Sequence, residues 1–103
     1  LLWKIRVEPQ FQAIYDGLPV AGKSGTLKKR FKKYGKSAKG LIRAKTGWIN
    51  TSVTMAGYVE VGNNEYVFAV IANHIKPTEK SRDLARRAID KMLATVAKPT
   101  DEA

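Results

Sequence analysis

The sequence predicts an α+β domain, an antiparallel sheet of three strands with a flanking C-terminal helix. Three observations carry that expectation. From residue 41 to residue 73 the apolar residues fall in short runs separated by turn signals, which is the pattern of strands. Gly62-Asn63-Asn64-Glu65 lies between two of those runs as a hairpin signal, so its neighbours should run antiparallel. After Pro77 the apolar period lengthens to that of an amphipathic helix and holds to Val96.

Near the start, Ile5, Phe11, Ile14 and Tyr15 recur at roughly helical spacing, interrupted by Pro9. Proline suits an early helical turn better than an interior, so a helix is expected over residues 8–16, ended by Gly17. The stretch "LPVAGKSGTL" (residues 18–27) holds a proline and glycines that a regular element accommodates poorly, and it reads as an ordered loop. Leu27, Phe31 and Tyr34 share a face if residues 27–34 form one or two helical turns; residues 35–40 read as a flexible basic connector.

Strands follow at residues 41–45, 53–61 and 66–73. In the third both parities are apolar, Tyr66, Phe68, Val70 and Ala72 against Val67, Ala69 and Ile71, which predicts that both faces of the sheet are covered. The last helix opens with Thr78 as N-cap and Glu79 in its first turn. Its apolar stripe is Leu84, Ala85, Ala88, Ile89, Met92, Leu93 and Val96, with Arg82, Asp83, Arg86, Arg87, Asp90 and Lys91 facing away. Asp83 with Arg87 and Arg86 with Asp90 are four-apart pairs, each worth ~0.2–0.5 kcal/mol. Residues 98–103 read as a disordered tail.

A chain of 103 residues, 44% of them hydrophobic, forms one small domain or a piece of one. It opens Leu1-Leu2-Trp3-Lys4 without methionine, so residues 1–103 are expected to be a portion of a longer protein. No cysteine is present, which excludes disulfides and thiolate metal sites, and His74 is the single histidine, which excludes a two-histidine metal site. His74 reads as the end of a strand, and neither metal nor cofactor is called for. No apolar run reaches the length of a membrane span.

The net charge of +10 is concentrated. From Gly17 to Val59 there is no Asp or Glu, while Lys23, Lys28, Lys29, Arg30, Lys32, Lys33, Lys36, Lys39, Arg43 and Lys45 lie inside. Such a run is either a solvated basic loop or a magnet for polyanions: nucleic acid, anionic lipid or an anionic wall polymer. With Trp3, Trp48 and Tyr58 nearby, a single-strand nucleic-acid binder is one reading, although Tyr58 lies in an expected strand and reads as core.

The chemistry-bearing stretch is "IRAKTGWIN", residues 42–50. It sets Lys45, Thr46 and Gly47 at the end of a strand with no acid close in sequence. That order suits a carboxylate: an ammonium supplies charge, a hydroxyl a directed hydrogen bond, and glycine close approach. The backbone N–H of Trp48 could then face the same ligand. The plainer alternative is a basic strand end before a tight turn.

"RAKTGWINTSVTMAGYV" (residues 43–59) together with "LPVAGKSGTLKKRF" (residues 18–31) resembles the C-terminal part of the class C low-molecular-mass penicillin-binding proteins, serine D-alanyl-D-alanine carboxypeptidases and endopeptidases. The strand "YVFAVIANHI" (residues 66–75) and the closing helix come in the order that family has, so the likeness spans residues 18–96. The resemblance implies a transpeptidase-like, β-lactamase-like domain whose five-stranded sheet receives three strands and the last helix from this chain. It implies that Lys45 supplies positive potential, Thr46 binds the terminal carboxylate of the substrate, Gly47 keeps the strand edge open, and the Trp48 N–H forms half of an oxyanion hole.

The family also needs Ser-x-x-Lys and Ser-x-Asn. Three places after Ser24, Ser37, Ser52 and Ser81 stand Leu27, Gly40, Met55 and Leu84. Two places before Asn50, Asn63, Asn64 and Asn73 stand Trp48, Val61, Gly62 and Ile71. The nucleophile is therefore absent, and the chain alone is expected to be inactive: either the C-terminal part of a longer enzyme or a degenerate relative. As part of an enzyme it would act on peptidoglycan stem peptides through an acyl-serine, bind β-lactams, pack on the rest of its own domain, meet anionic wall polymers, and reside outside the cytoplasm in a bacterial envelope. The alternative from another class is a basic binding module for nucleic acid or another polyanion.

Overall fold

A computed structural model describes residues 1–99; the last four residues of the expected tail lie outside them. The order is α1 (Leu2–Val7), a 3-10 turn (Pro9–Phe11), α2 (Gln12–Gly17), a long connection with 3-10 turns at Gly25–Leu27 and Lys36–Ala38, then β1 (Ile42–Ile49), β2 (Ser52–Val61), β3 (Asn64–Ala72) and α3 (Glu79–Val96). The three strands form one antiparallel sheet in the order β1-β2-β3. The expected α+β class and hairpin are both present, with Val61 paired to Asn64 across Gly62 and Asn63.

Register assigns the faces, because directly opposed residues share one. Ile42, Ala44, Thr46 and Trp48 oppose Val59, Met55 and Val53 and, at Ala44, Gly57; Phe68, Val70 and Ala72 continue that face on β3. Here lies the core, closed by Ile89 and Leu93 of α3 and by Ala21, Leu27, Phe31 and Ala38 of the connection. The opposite face carries Arg43, Lys45, Tyr58, Val67 and Ile71. At one end α1 and α2 cover it: the Tyr15 and Tyr58 rings meet edge-on at 5.1 Å, and the Tyr58 hydroxyl donates to the Leu2 carbonyl. Beyond that end Ile49 and Ile71 are exposed, so the expectation of two covered faces is met only in part. The physical reason is supply. Two six-residue helices are too short to span the sheet's second face.

Several elements differ from expectation. No helix runs through residues 8–16, because the residue before a proline is driven extended: Glu8 sits at φ −94, ψ 121 and splits the segment into α1, a proline-led turn and α2. Residues 28–34 are not helical. Phe31 is buried there with φ +59, and the Arg30 guanidinium donates to both Asp90 carboxylate oxygens and to the Arg86 carbonyl. Nor is the 35–40 stretch a loose connector; Ala38 is fully buried, and a Cβ at Gly35 would lie 2.6 Å from the Asp90 carbonyl oxygen. Lys98, expected in the tail, bridges β2: its N–H donates to the Glu60 carbonyl and its carbonyl accepts from Gly62.

Helix α3 is capped as expected, the Thr78 hydroxyl accepting from the Ser81 N–H at 3.1 Å. Its buried stripe, however, is turned toward Arg82, Ile89, Asp90 and Leu93, leaving Leu84, Met92 and Val96 exposed. Charged residues hold inward positions because each finds partners there: Asp90 meets Arg30, and Arg82 donates to the Asn50 carbonyl and to Glu79. The two expected four-apart pairs are not made. Arg86 binds Asp83 and Glu79 instead, both at 2.8 Å.

Candidate active site

Strand β1 is an edge strand, and its outer edge is only half covered. The loop before it docks alongside, with the Ala44 N–H donating to the Pro19 carbonyl and the Ile42 carbonyl accepting from the Ala21 N–H. Backbone groups alternate sides along an antiparallel strand. Since Ile42 and Ala44 point outward, Thr46 and Trp48 do as well, while Lys45 and Gly47 bond to β2. Beyond Ala44 the loop supplies no further partner, so the N–H groups of Thr46 and Trp48 lie on an open edge.

Side chains alternate faces. Lys45 projects from the second face and Thr46 from the core face, so the lysine and threonine do not form a single side-chain cluster. They converge at the edge instead. The Lys45 ammonium folds back to donate to the outward Thr46 carbonyl at 2.6 Å, placing its charge beside the open backbone groups. Among the described residues no carboxylate pairs with it. The edge thus offers the Lys45 cation, beside the Thr46 carbonyl, and the Trp48 N–H two positions further on, an arrangement able to hold an anionic group and polarise a carbonyl.

On the core face a cavity of about 290 Å³ is bounded by Thr26, Thr46, Trp48, Thr54, Arg86 and Ile89 among others. The Thr46 hydroxyl donates to the Thr26 hydroxyl at 3.1 Å, which ties the strand to the Gly25–Leu27 turn. The exposed Trp48 ring is backed by the Arg82 guanidinium, 4.8 Å from its centroid. Gly47 has an internal reason beside the expected one: a Cβ there would lie 2.8 Å from the Thr54 hydroxyl across the sheet. Sequence reasoning named Lys45, Thr46, Gly47 and Trp48, and the structure sets all four on one strand end. It missed Thr26, Thr54, Arg82 and Arg86, which come from three other segments. Only Thr26 carried a signal, inside "GKSGTL", a stretch already set apart by its glycines.

The open edge and the helix-backed antiparallel sheet set the chain in the mixed α+β class, with a peptidase among the solved structures that share its fold. Residues 1–96 match the D-Ala-D-Ala carboxypeptidase 3 (S13) family, and the chain belongs to that family. It is 36% identical over 92 residues to carboxypeptidase DacB of Mycolicibacterium smegmatis, a match covering 86% of this chain and 19% of DacB. In shape it is similar to the predatory endopeptidase Bd0816 of Bdellovibrio bacteriovorus, solved with its immunity protein Bd3460: TM-score 0.67, 25% identity, 85% of this chain and 23% of that one. The chain therefore spans about a fifth of the length of the relatives it matches.

Proposed function

We propose that this chain is the C-terminal portion of a serine-type D-Ala-D-Ala carboxypeptidase or endopeptidase that cleaves peptidoglycan stem peptides through an acyl-serine in the bacterial cell envelope. The observation that carries the reading is the open β1 edge, where the outward Trp48 N–H and the Lys45 ammonium lie together. In that role the substrate's terminal carboxylate sits near Lys45 and the Thr46 hydroxyl, and Gly47 lets its backbone run along the strand. When a serine attacks the scissile carbonyl, negative charge develops on the carbonyl oxygen, and a donor aimed at that position stabilises the transition state. The Trp48 N–H is one such donor. The second donor, the nucleophile and its base come from the rest of the protein, since no Ser-x-x-Lys or Ser-x-Asn lies in these residues.

Fluorescent penicillin tests this directly. The full-length protein forms a covalent, denaturation-resistant adduct, and residues 1–103 alone form none. A full-length protein that carries Ser-x-x-Lys and stays unlabelled would overturn the enzyme reading.

A further inference from the structure

Around Tyr34 the charges are arranged in a way the active-site reading does not use. Three cations surround this one ring: the Arg87 guanidinium at 4.9 Å from its centroid, the Lys91 ammonium at 5.2 Å and the Lys33 ammonium at 5.6 Å. Arg87 and Lys91 are like charges one helical turn apart, a spacing that costs stability. The half-buried ring offsets part of that repulsion through its negative face, but weakly for cations that are themselves exposed. A cavity of about 270 Å³ adjoins, with Lys29 and Lys32 also on its wall. Its two acids are already committed, Asp83 to Arg86 and Asp90 to Arg30. Among the described residues none of Lys29, Lys32, Lys33, Arg87 or Lys91 has a carboxylate partner, whereas Arg82 and Arg86 on the same helix do.

We propose that this face, centred on Tyr34 with Lys33, Arg87 and Lys91, binds a phosphate-bearing anionic polymer of the cell wall. An anion with several charges along one chain is what relieves such a cluster, and a guanidinium fork set among ammonium groups matches phosphate oxygens. Nucleic acid fits less well. A single-strand binder needs bare aromatic faces for its bases, and here Tyr34 is ringed by cations while Trp48 is backed by Arg82. The location adds a second argument: Arg30 and Arg86 border both this cavity and the one beside Thr46 and Trp48, so a polymer lying here runs next to the candidate catalytic edge. Choosing a wall polymer rests on the envelope reading above; the phosphate-binding chemistry does not.

The test uses the full-length protein and purified bacterial walls carrying phosphodiester-linked glycopolymers, before and after hydrofluoric acid strips those polymers. Co-sedimentation is expected with intact walls and at least about tenfold weaker with stripped ones. The triple change Lys33→Ala, Arg87→Ala, Lys91→Ala should reproduce that loss and reduce the slope of log affinity against log salt by about three. Lys4→Ala, Lys76→Ala, Lys80→Ala removes as much charge elsewhere and should bind as the parent does. Equal binding by the Tyr34-face variant, an equal loss in the Lys4/Lys76/Lys80 variant, or undiminished binding to stripped walls would each overturn the proposal. Tighter binding of mixed-sequence single-stranded DNA than of the wall polymer would replace it with the nucleic-acid reading. Penicillin labelling of the same samples scores the peptidase reading separately, so a failure of one is told from a failure of the other.

Discussion

Replacing Trp48 with proline separates the backbone role of this residue from everything else it does. Proline removes one N–H and is tolerated on a strand where that N–H faces away from the ladder. The Trp48 N–H points to the open edge, so no β1–β2 hydrogen bond is lost and the sheet should persist. The same change at Gly47, whose N–H faces β2, would break the ladder. Loss of one oxyanion donor costs ~2.7–4 kcal/mol in the transition state, a fall of roughly 10²–10³ in rate. Trp48→Ala is the partner control, since it keeps the N–H and removes the ring that stacks on Arg82. In the full-length protein, on the proposed peptidase function, the acylation rate with fluorescent penicillin is expected to fall by roughly 10²–10³ in Trp48→Pro and by less than about tenfold in Trp48→Ala. Equal acylation by the two variants, with circular dichroism showing both folded, would refute the assignment of this N–H to the oxyanion hole.

Asp90 is buried and its partner Arg30 half-buried, so Asp90→Ala should cost ~3 kcal/mol in denaturant unfolding, while Arg30→Met with Asp90→Leu should recover most of it. Burial raises the Asp90 carboxyl pKa despite Arg30, so the folded state holds that proton to higher pH than the unfolded chain. Stability from this group is therefore fullest in acid and declines as pH climbs through the raised value, a decline that Asp90→Asn abolishes. Tyr15, pushed up to about 12 by burial and by donation to Glu65, should stay protonated between pH 10 and 12 while the unfolded chain ionises. Unfolding free energy should drop by about 2–3 kcal/mol over that interval, and Tyr15→Phe should flatten the drop. Gly57→Ala places a Cβ against the Arg43 carbonyl and 2.6 Å from the Ala44 Cα, and a thermal melt should register at least about 1–3 kcal/mol of destabilisation.

What could be read in advance follows from how local each cause is. Strands β2 and β3, their hairpin and the capped start of α3 depend on neighbouring residues, and their apolar period or turn chemistry shows directly. Strand β1 runs four residues past its expected end because Thr46, Gly47, Trp48 and Ile49 are held by Met55, Thr54, Val53 and Ser52, not by their own preference. Residues 28–40 were illegible for a stronger reason. Phe31 occupies φ +59, a conformation nothing in its neighbourhood recommends, and its adjacent anchor is Asp90, sixty residues from Arg30. The site shows the same division. Lys45 through Trp48 are contiguous and carry their chemistry as a word, whereas Thr26 and Arg82 reach them only through folding.

The ten cations between Gly17 and Val59 show why a charge run is not a function. Arg30 is consumed by a buried carboxylate, and Arg43 lies over the Tyr15 ring at 5.0 Å. The Lys39 stem covers Gly22, where a Cβ would sit 2.7 Å from its Cγ, and the end of Lys23 lies over Gly40, where a Cβ would sit 3.2 Å from its Cε, so both side chains act partly as packing. Lys45 marks the open strand edge, and Lys29, Lys32 and Lys33 face the Tyr34 cavity. Net charge is indifferent to these differences, while the physics is not: an arginine neutralised by a carboxylate contributes little outside field, and a lysine with no carboxylate partner contributes its full share. Among the described residues only Arg30 of the ten has a carboxylate partner, so the attraction this segment exerts on a polyanion depends on where the other nine lie, and Lys29, Lys32 and Lys33 are the ones that share a cavity wall with α3.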